Sequence, residues 1–382
     1  MFPSRPLLLI GTAISCASAD CATISVTYNF APQEAQVAID HAASIWEGIL
    51  VSPVPIKAMV TWIPMNGSVL GITFPNGRKD FTGAPVPQTW YATALANSIA
   101  GQELNPGEND IEIYLDASTD WYFGLDGATP SGQQDLVSVA LHEMGHGLGF
   151  VGLSKKEGAT GSLGLLLASD FAPLTTTFPW PELDSLPGIF DRFLVHPQNG
   201  PLDLMENPGP TLGSAMSSNQ LRFNGPLTMI ANDGEAPRIY SPSNFALGSS
   251  CVHLNEATYP VGNANELMTP FNSAGHANHW PGPLCLVMLR DIGWNLAPDV
   301  GMVEPCARSP LLELWPNPVQ SELSISGIIA GANVVIRDVQ GRTVMVLQGG
   351  SSIDVSGLAP GPYLVSTVAG GLAKHGGRLI KR

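Results

Sequence analysis

Apolar and polar residues alternate through TISVTYNF (23–30), the period of a half-buried strand, and the pattern then changes to helical spacing. Ala35, Val37, Ala38, Ala42, Ile45, Trp46, Ile49 and Leu50 fall near a 3.6-residue repeat, which predicts a helix over 33–50. KAMVTWI (57–63) and NDIEIYLDA (109–117) predict two more strands, the second with Ile111, Ile113 and Leu115 on one face. Residues 64–109 between them are rich in Gly, Pro and Asn and read as loops with short strands. A further helix is predicted over 132–147: Ser131 and Gln134 have capping-box spacing, and Leu136, Val137, Val139, Ala140, Leu141 and Met144 supply an apolar surface. Gly149 stands where that helix should stop and turn. A βαβ-like opening with irregular connections predicts an α+β or mixed domain.

The pattern changes again after Asp291-Ile-Gly-Trp294. A Pro-containing stretch, with the linker placed at 301–310, leads into ANVVIRDVQGRTVMVLQ, two strands meeting near Gln340-Gly341, and more short strands follow to the C terminus. Residues 311–382 therefore read as a small all-β, Ig-like sandwich. Charge divides the chain at nearly the same point: residues 1–306 carry 10 Lys/Arg against 28 Asp/Glu, and residues 307–382 carry 7 against 4. At the other end, residues 1–19 have one positive charge (Arg5), an apolar stretch from Leu7 to Ile14 and small residues at Ala17 and Ala19, the pattern of a secretory signal cleaved after Ala19. A lipoprotein signal ending at Cys16 is opposed by Ala13, where a larger aliphatic residue is usual. Nowhere do 18 apolar residues run together, so no transmembrane anchor is expected.

Composition narrows the class. With 41 Gly and 33 Pro in 382 residues and only 13% charged positions, the chain is neither a coiled coil nor a highly charged disordered polymer. A net charge of −15 excludes nucleic acid as a partner, because phosphate binding needs a basic surface. Cys21, Cys251, Cys285 and Cys306 remain after signal removal; in an exported protein two disulfides are expected, in one of three connectivities that the sequence does not separate, with buried free thiols for some of them as the alternative. No EF-hand-like spacing appears, which leaves calcium open.

LHEMGHGLGF (141–150) carries the chemistry. His142 and His146 are four residues apart, so on a helix both imidazoles reach one ion, and Glu143 beside them can act as general base on an attacking water. Neutral imidazole favours zinc, and a catalytic zinc needs a third protein ligand. Resemblance to the metzincin pattern HExxHxxGxxH would imply a third histidine at position 152, but that residue is Gly152, and the gluzincin alternative would use a Glu on a second helix downstream; neither short-range solution is available here. His41 reads as a surface or capping residue and His375 lies in the C-terminal segment; His196, His253, His276 and His279 remain as candidates. Asp191, Glu256 and Tyr259 read as packing or surface residues rather than catalytic ones.

HEMGHGLGF, a long insertion, and then HLNEATYPVGNANELMTPF (253–271) resembles the leishmanolysin-like branch of the metzincins, where the third histidine lies far downstream and precedes a methionine-containing turn. The resemblance implies a metzincin-like domain over residues 20–300: a mixed twisted sheet with an active-site helix and a loop-rich C-terminal subdomain. It implies one zinc held by His142, His146 and His253, Glu143 as general base, and Gly149 and Met268 as structural support. The implied activity is a secreted or cell-surface zinc endopeptidase acting on proteins or peptides. A metal-bearing adhesin without turnover, or a zinc hydrolase of a cell-wall amide, are the alternatives. WPNP, DVSGLAPGPYLV and the basic RLIKR end resemble the C-terminal sorting domain of type IX secretion substrates, which implies a Gram-negative bacterium, its type IX machinery as a partner, and delivery to the outer surface or the medium.

Overall fold

The alternation through residues 23–30 becomes β1 (Ile24–Asn29), and the helical repeat becomes α1 (Gln33–Glu47). The chain continues through β2 (Leu50–Val51), β3 (Ile56–Ile63), β4 (Gly71–Pro75), β5 (Gly77–Lys79), β6 (Trp90–Ala92), α2 (Thr93–Ala100) and β7 (Ile111–Asp116). After β8 (Trp121–Tyr122) and β9 (Gln134–Asp135) comes α3 (Leu136–Gly147). The structure is a computed structural model and describes residues 21–65, 69–174, 184–297, 313–326, 333–338, 343–348, 352–369 and 372–382. The proposed cleavage point at Ala19, the linker 301–310 and Cys306 lie outside the described residues. Two compact units divide the chain, Met1–Met302 and Val303–Arg382.

The main sheet of the first unit has the order β1-β3-β7-β4. β1, β3 and β7 run parallel, and β4 closes one edge antiparallel to β7. Ala58 and Val60 lie opposite Ile111 and Ile113, which gathers the small and branched side chains of the central strands on the face that meets the helices. Thr73 lies opposite Ile113 and therefore shares that face. α1 buries Ala35, Ala38, Ile39, Ala42, Ala43 and Trp46. The Trp46 indole N–H donates to the Leu141 carbonyl at 3.0 Å, joining α1 to α3 inside the core.

Two expectations need correction here. Residues 64–109 contain the helix α2 as well as short strands: TALANSIA is only eight residues long, too short for its period to stand out, and five of the eight are buried, polar Thr93 and Asn97 among them. α3 starts at Leu136 rather than near 132, because Gln134-Asp135 pairs as a strand with Trp121-Tyr122. Asp135 then caps the helix, its carboxylate accepting the Ser138 backbone N–H at 2.8 Å, so the Ser131/Gln134 capping box is not used.

The long stretch after Gly149 has its own structure. β10 (Ser154–Glu157) and β11 (Thr160–Leu163) form a hairpin, followed by α4 (Pro210–Met216), α5 (Pro226–Ala231) and α6 (Pro283–Ile292). Phe190, Leu212, Phe223 and Leu254 from this stretch join the same hydrophobic core as α1 and α3. The unit is thus mixed α/β, with several small sheets and six α-helices among the described residues.

In the second unit, strands Glu313–Trp315, Glu322–Ser326 and Ser352–Asp354 form one antiparallel sheet. Asn333–Asp338, Thr343–Gln348, Gly361–Ala369 and Leu372–Lys381 form a second. Leu323, Ile325 and Ile353 from the first bury against Val334, Ile336, Val365 and Leu379 from the second, which makes a small all-β sandwich. Among the described residues no helix is long and apolar enough to cross a membrane.

Candidate metal centre

α3 presents His142 and His146 on one side, one turn apart, and the long insertion returns the chain so that His253 meets them. The Nε2 atom of His146 lies 3.0 Å from that of His142 and 3.1 Å from that of His253, and the third pair is 3.2 Å apart. The His142 and His253 rings are stacked within 20° of parallel, and His146 stands at 83° to both. His253 is placed by a backbone ladder: its carbonyl accepts from Tyr240 N–H, and Cys251 N–H donates to the Tyr240 carbonyl, both at 2.8 Å.

The tautomers follow from the other ring nitrogens. Nδ1 of His142, His146 and His253 lies 2.6, 2.6 and 2.8 Å from the carbonyl oxygens of Leu267, Phe150 and Ser249. A carbonyl only accepts, so each Nδ1 carries the proton and each Nε2 is left as a bare lone pair. Burial lowers all three pKa values, that of His253 to about 3, so the rings are neutral at physiological pH. Three lone pairs about 3 Å apart cannot hydrogen-bond to one another; a cation satisfies all three at once. Three neutral imidazole nitrogens suit zinc.

Glu143 is buried beside this cluster, and burial raises its pKa to about 7 against the opposing effect of a hydrogen bond. That bond comes from Thr73 of the edge strand, whose hydroxyl donates to Oε2 at 2.7 Å. Met268 is fully buried beneath α3, and its carbonyl accepts the Leu254 N–H at 2.8 Å, next to His253. Gly145 makes the approach possible: a Cβ there would stand 2.8 Å from the Met268 sulfur. Gly149 turns the chain away from the helix at φ +110°.

A cleft of about 480 Å³ opens over these residues. One wall runs from Val69 through the start of β4 to Phe74, and another is the segment that follows the Met268 turn. Among the described residues no Lys or Arg lines it.

The structure brings His142, Glu143, His146, His253 and Met268 together and gives His41, His196, His276 and His279 other partners, His276 on the wall of the same cleft. His276 pairs with Glu266 at 2.7 Å and His279 with Asp135 at 2.8 Å. His196 Nδ1 accepts from the backbone N–H groups of Gln198 and Asn199, and the His41 ring lies edge-on to His279. Asp191 accepts the Leu153 and Gly188 N–H groups, Tyr259 is buried, and neither they nor Glu256 line the cleft. Thr73 and the three orienting carbonyls escaped the sequence reading: a threonine on a short edge strand and a backbone oxygen carry no motif.

The expected pair of disulfides does not form among Cys21, Cys251 and Cys285, which are free thiols. Cys251 and Cys285 are buried in the core, where burial pushes each thiol's pKa well above its ordinary value, while Cys21 is exposed.

Comparison with known families matches residues 313–382 to the secretion system C-terminal sorting domain. The protein therefore ends in a type IX sorting tail, which directs it to the outer surface or the extracellular space. No curated protein matches the chain. Among solved structures, a similarity is found to PorZ, an essential bacterial surface component of the type IX secretion system of Porphyromonas gingivalis. It is 21% identical over 19% of this chain and 11% of that one, with a TM-score of 0.17, and it carries no argument about function.

Proposed function

We propose that the first unit is a zinc-dependent endopeptidase with a metzincin-like, leishmanolysin-type site, exported to act outside the cell. The observation that carries the reading is the convergence of three bare Nε2 lone pairs beside a buried carboxylate on the wall of an open cleft. His142, His146 and His253 would hold the zinc, which when bound supplies a Lewis acid that polarises a carbonyl and acidifies water. β4 stands last in the order of the main sheet, and its 71–73 stretch beside the cleft is where an extended polypeptide would lay its main chain by strand addition. Glu143 takes the proton from the attacking water and delivers it to the departing amine. Thr73 holds the Glu143 carboxylate in place for both transfers, and Met268 supports the helix turn that carries the two α3 ligands.

The test is metal content and casein hydrolysis of the purified chain, of Glu143→Ala and of His253→Ala. One zinc per chain, activity lost in Glu143→Ala with zinc retained, and zinc lost in His253→Ala are expected. Zinc binding without hydrolysis of any protein would favour a binding role instead, and hydrolysis of cell-wall amides alone would change the substrate class.

A further inference from the structure

The cleft holds a fourth imidazole, outside the three-histidine cluster, that the proposed hydrolytic step does not use. His276 lines it together with His142, Glu143 and Thr73, and its side chain remains 32% exposed. Its Nε2 lies 2.7 Å from Glu266 Oε1, and the other Glu266 oxygen accepts the Gly262 backbone N–H. A carboxylate only accepts, so Nε2 carries a proton, and with that single proton on the ring Nδ1 is a bare acceptor. Among the described residues Nδ1 has no partner.

The acceptor sits on a fixed support. His276 N–H donates to Ser273 O, Gly275 N–H to Gln133 O at 2.8 Å, and Asn278 N–H to the Ser138 hydroxyl at 2.7 Å. The Asn272 amide donates to the Gln134 side chain, and His279 is joined to Asp135, the cap of α3. The wall segment is thus fastened to the front of the helix that carries the metal ligands, and the His276 ring is held before any ligand arrives. An uncharged acceptor in a cleft without Lys or Arg is complementary to a neutral N–H, the group a polypeptide main chain offers at every residue except proline.

We propose that His276 is a substrate-binding residue whose Nδ1 accepts a main-chain N–H of the bound polypeptide, with Glu266 as the positioning residue that sets its tautomer. This rests on the reading of the cleft as a peptide site. The geometry separates the two roles, since a proton at Nδ1 would turn the acceptor into a donor.

The experiment uses the full zinc-loaded chain carrying Glu143→Ala, so that ligand binds without turnover, and follows fluorescein-labelled β-casein by fluorescence anisotropy. His276→Ala is expected to weaken binding about three- to tenfold, the loss of one hydrogen bond. His276→Asn, whose Oδ1 stands close to the position of Nδ1, is expected to recover most of it. Glu266→Gln presents an amide N–H to Nε2, moves the imidazole proton to Nδ1 and is expected to weaken binding although the ring remains. Nitrogen-15 shifts of labelled histidine read that proton directly, bare Nδ1 in the parent and protonated Nδ1 in Glu266→Gln. Equal casein binding by the parent, His276→Ala and Glu266→Gln would overturn the proposal, as would a protonated, uncharged Nδ1 in the parent. A parent that binds no casein while showing the expected tautomer would overturn the peptide reading of the cleft, and this inference with it.

Discussion

Position 152, where a compact metal motif would put its third imidazole, is occupied by a glycine with a carboxylate pressed against it. A Cβ on Gly152 would stand 2.3 Å from Asp191 Oδ1 and 3.2 Å from its Cγ. Asp191 is fully buried and accepts the Leu153 and Gly188 backbone N–H groups, both at 2.9 Å, so it cannot retreat without leaving buried donors unpaired. Each such orphan costs about 1–3 kcal/mol, and Gly152→Ala is therefore expected to destabilise the first unit by about 2–5 kcal/mol. The disturbance also reaches the metal centre, because Gly152 is two residues beyond Phe150, whose carbonyl orients His146. Urea unfolding followed by tryptophan fluorescence, with and without zinc, measures the first effect, and competition with a chromophoric chelator measures the second. Asp191→Ala alone should destabilise by a similar amount, and the double variant by much less than the sum, since the clash has lost its partner. Strictly additive losses, or Gly152→Ala unfolding at the wild-type midpoint, would refute the reasoning.

Met268→Ala, which empties a fully buried site under α3, is expected to lose about 2–5 kcal/mol in the same urea assay and to weaken zinc binding, whereas Met268→Leu should stay within about 1.5 kcal/mol of wild type. Thr73→Val removes the hydroxyl that donates to Glu143; hydrolysis of casein should fall about ten- to a hundredfold with zinc content unchanged, and Thr73→Ser should restore most of it. Burial raises Asp191 from 3.8 to about 6, so the folded state holds that proton more tightly than the unfolded chain. Stability from this group alone should fall by about 3 kcal/mol between about pH 3 and about pH 7, about 2 kcal/mol of it between about pH 4 and about pH 6, and Asp191→Asn should remove that part of the slope in urea midpoints measured across the range.

The parts of the site that were legible in the sequence are those whose chemistry depends on local spacing. His142, Glu143 and His146 are fixed by one helical turn, and His253 was reached only through the family resemblance of the block from 253 to 271. The strands β1, β3 and β7 were visible because each has its alternation or apolar run intact, whereas α2 was hidden because eight residues with buried polar Thr93 and Asn97 show too little of a helical period. The start of α3 was misjudged because two residues pattern as helix but pair as strand, a choice made by Trp121-Tyr122 at a distance. Cysteine number suggested disulfides, but pairing depends on which cysteines the fold brings together, and the core keeps Cys251 and Cys285 as separate buried thiols. Thr73 came into view only through strand register: its face is decided by Ile113 across the sheet.

The three imidazoles are steered by carbonyls at Phe150, Leu267 and Ser249, in three loops separated along the chain. No single side-chain replacement can delete those oxygens, so the donor geometry is robust to point substitution and sensitive to loop length. It also works as a logical conjunction: the lone pairs point inward together only after the α3 exit, the stretch before His253 and the Met268 turn have all reached their final positions. A chain in which any one of the three has yet to settle would hold the ligands but not their aim, so the geometry of the three-histidine cluster reports completed folding of the first unit.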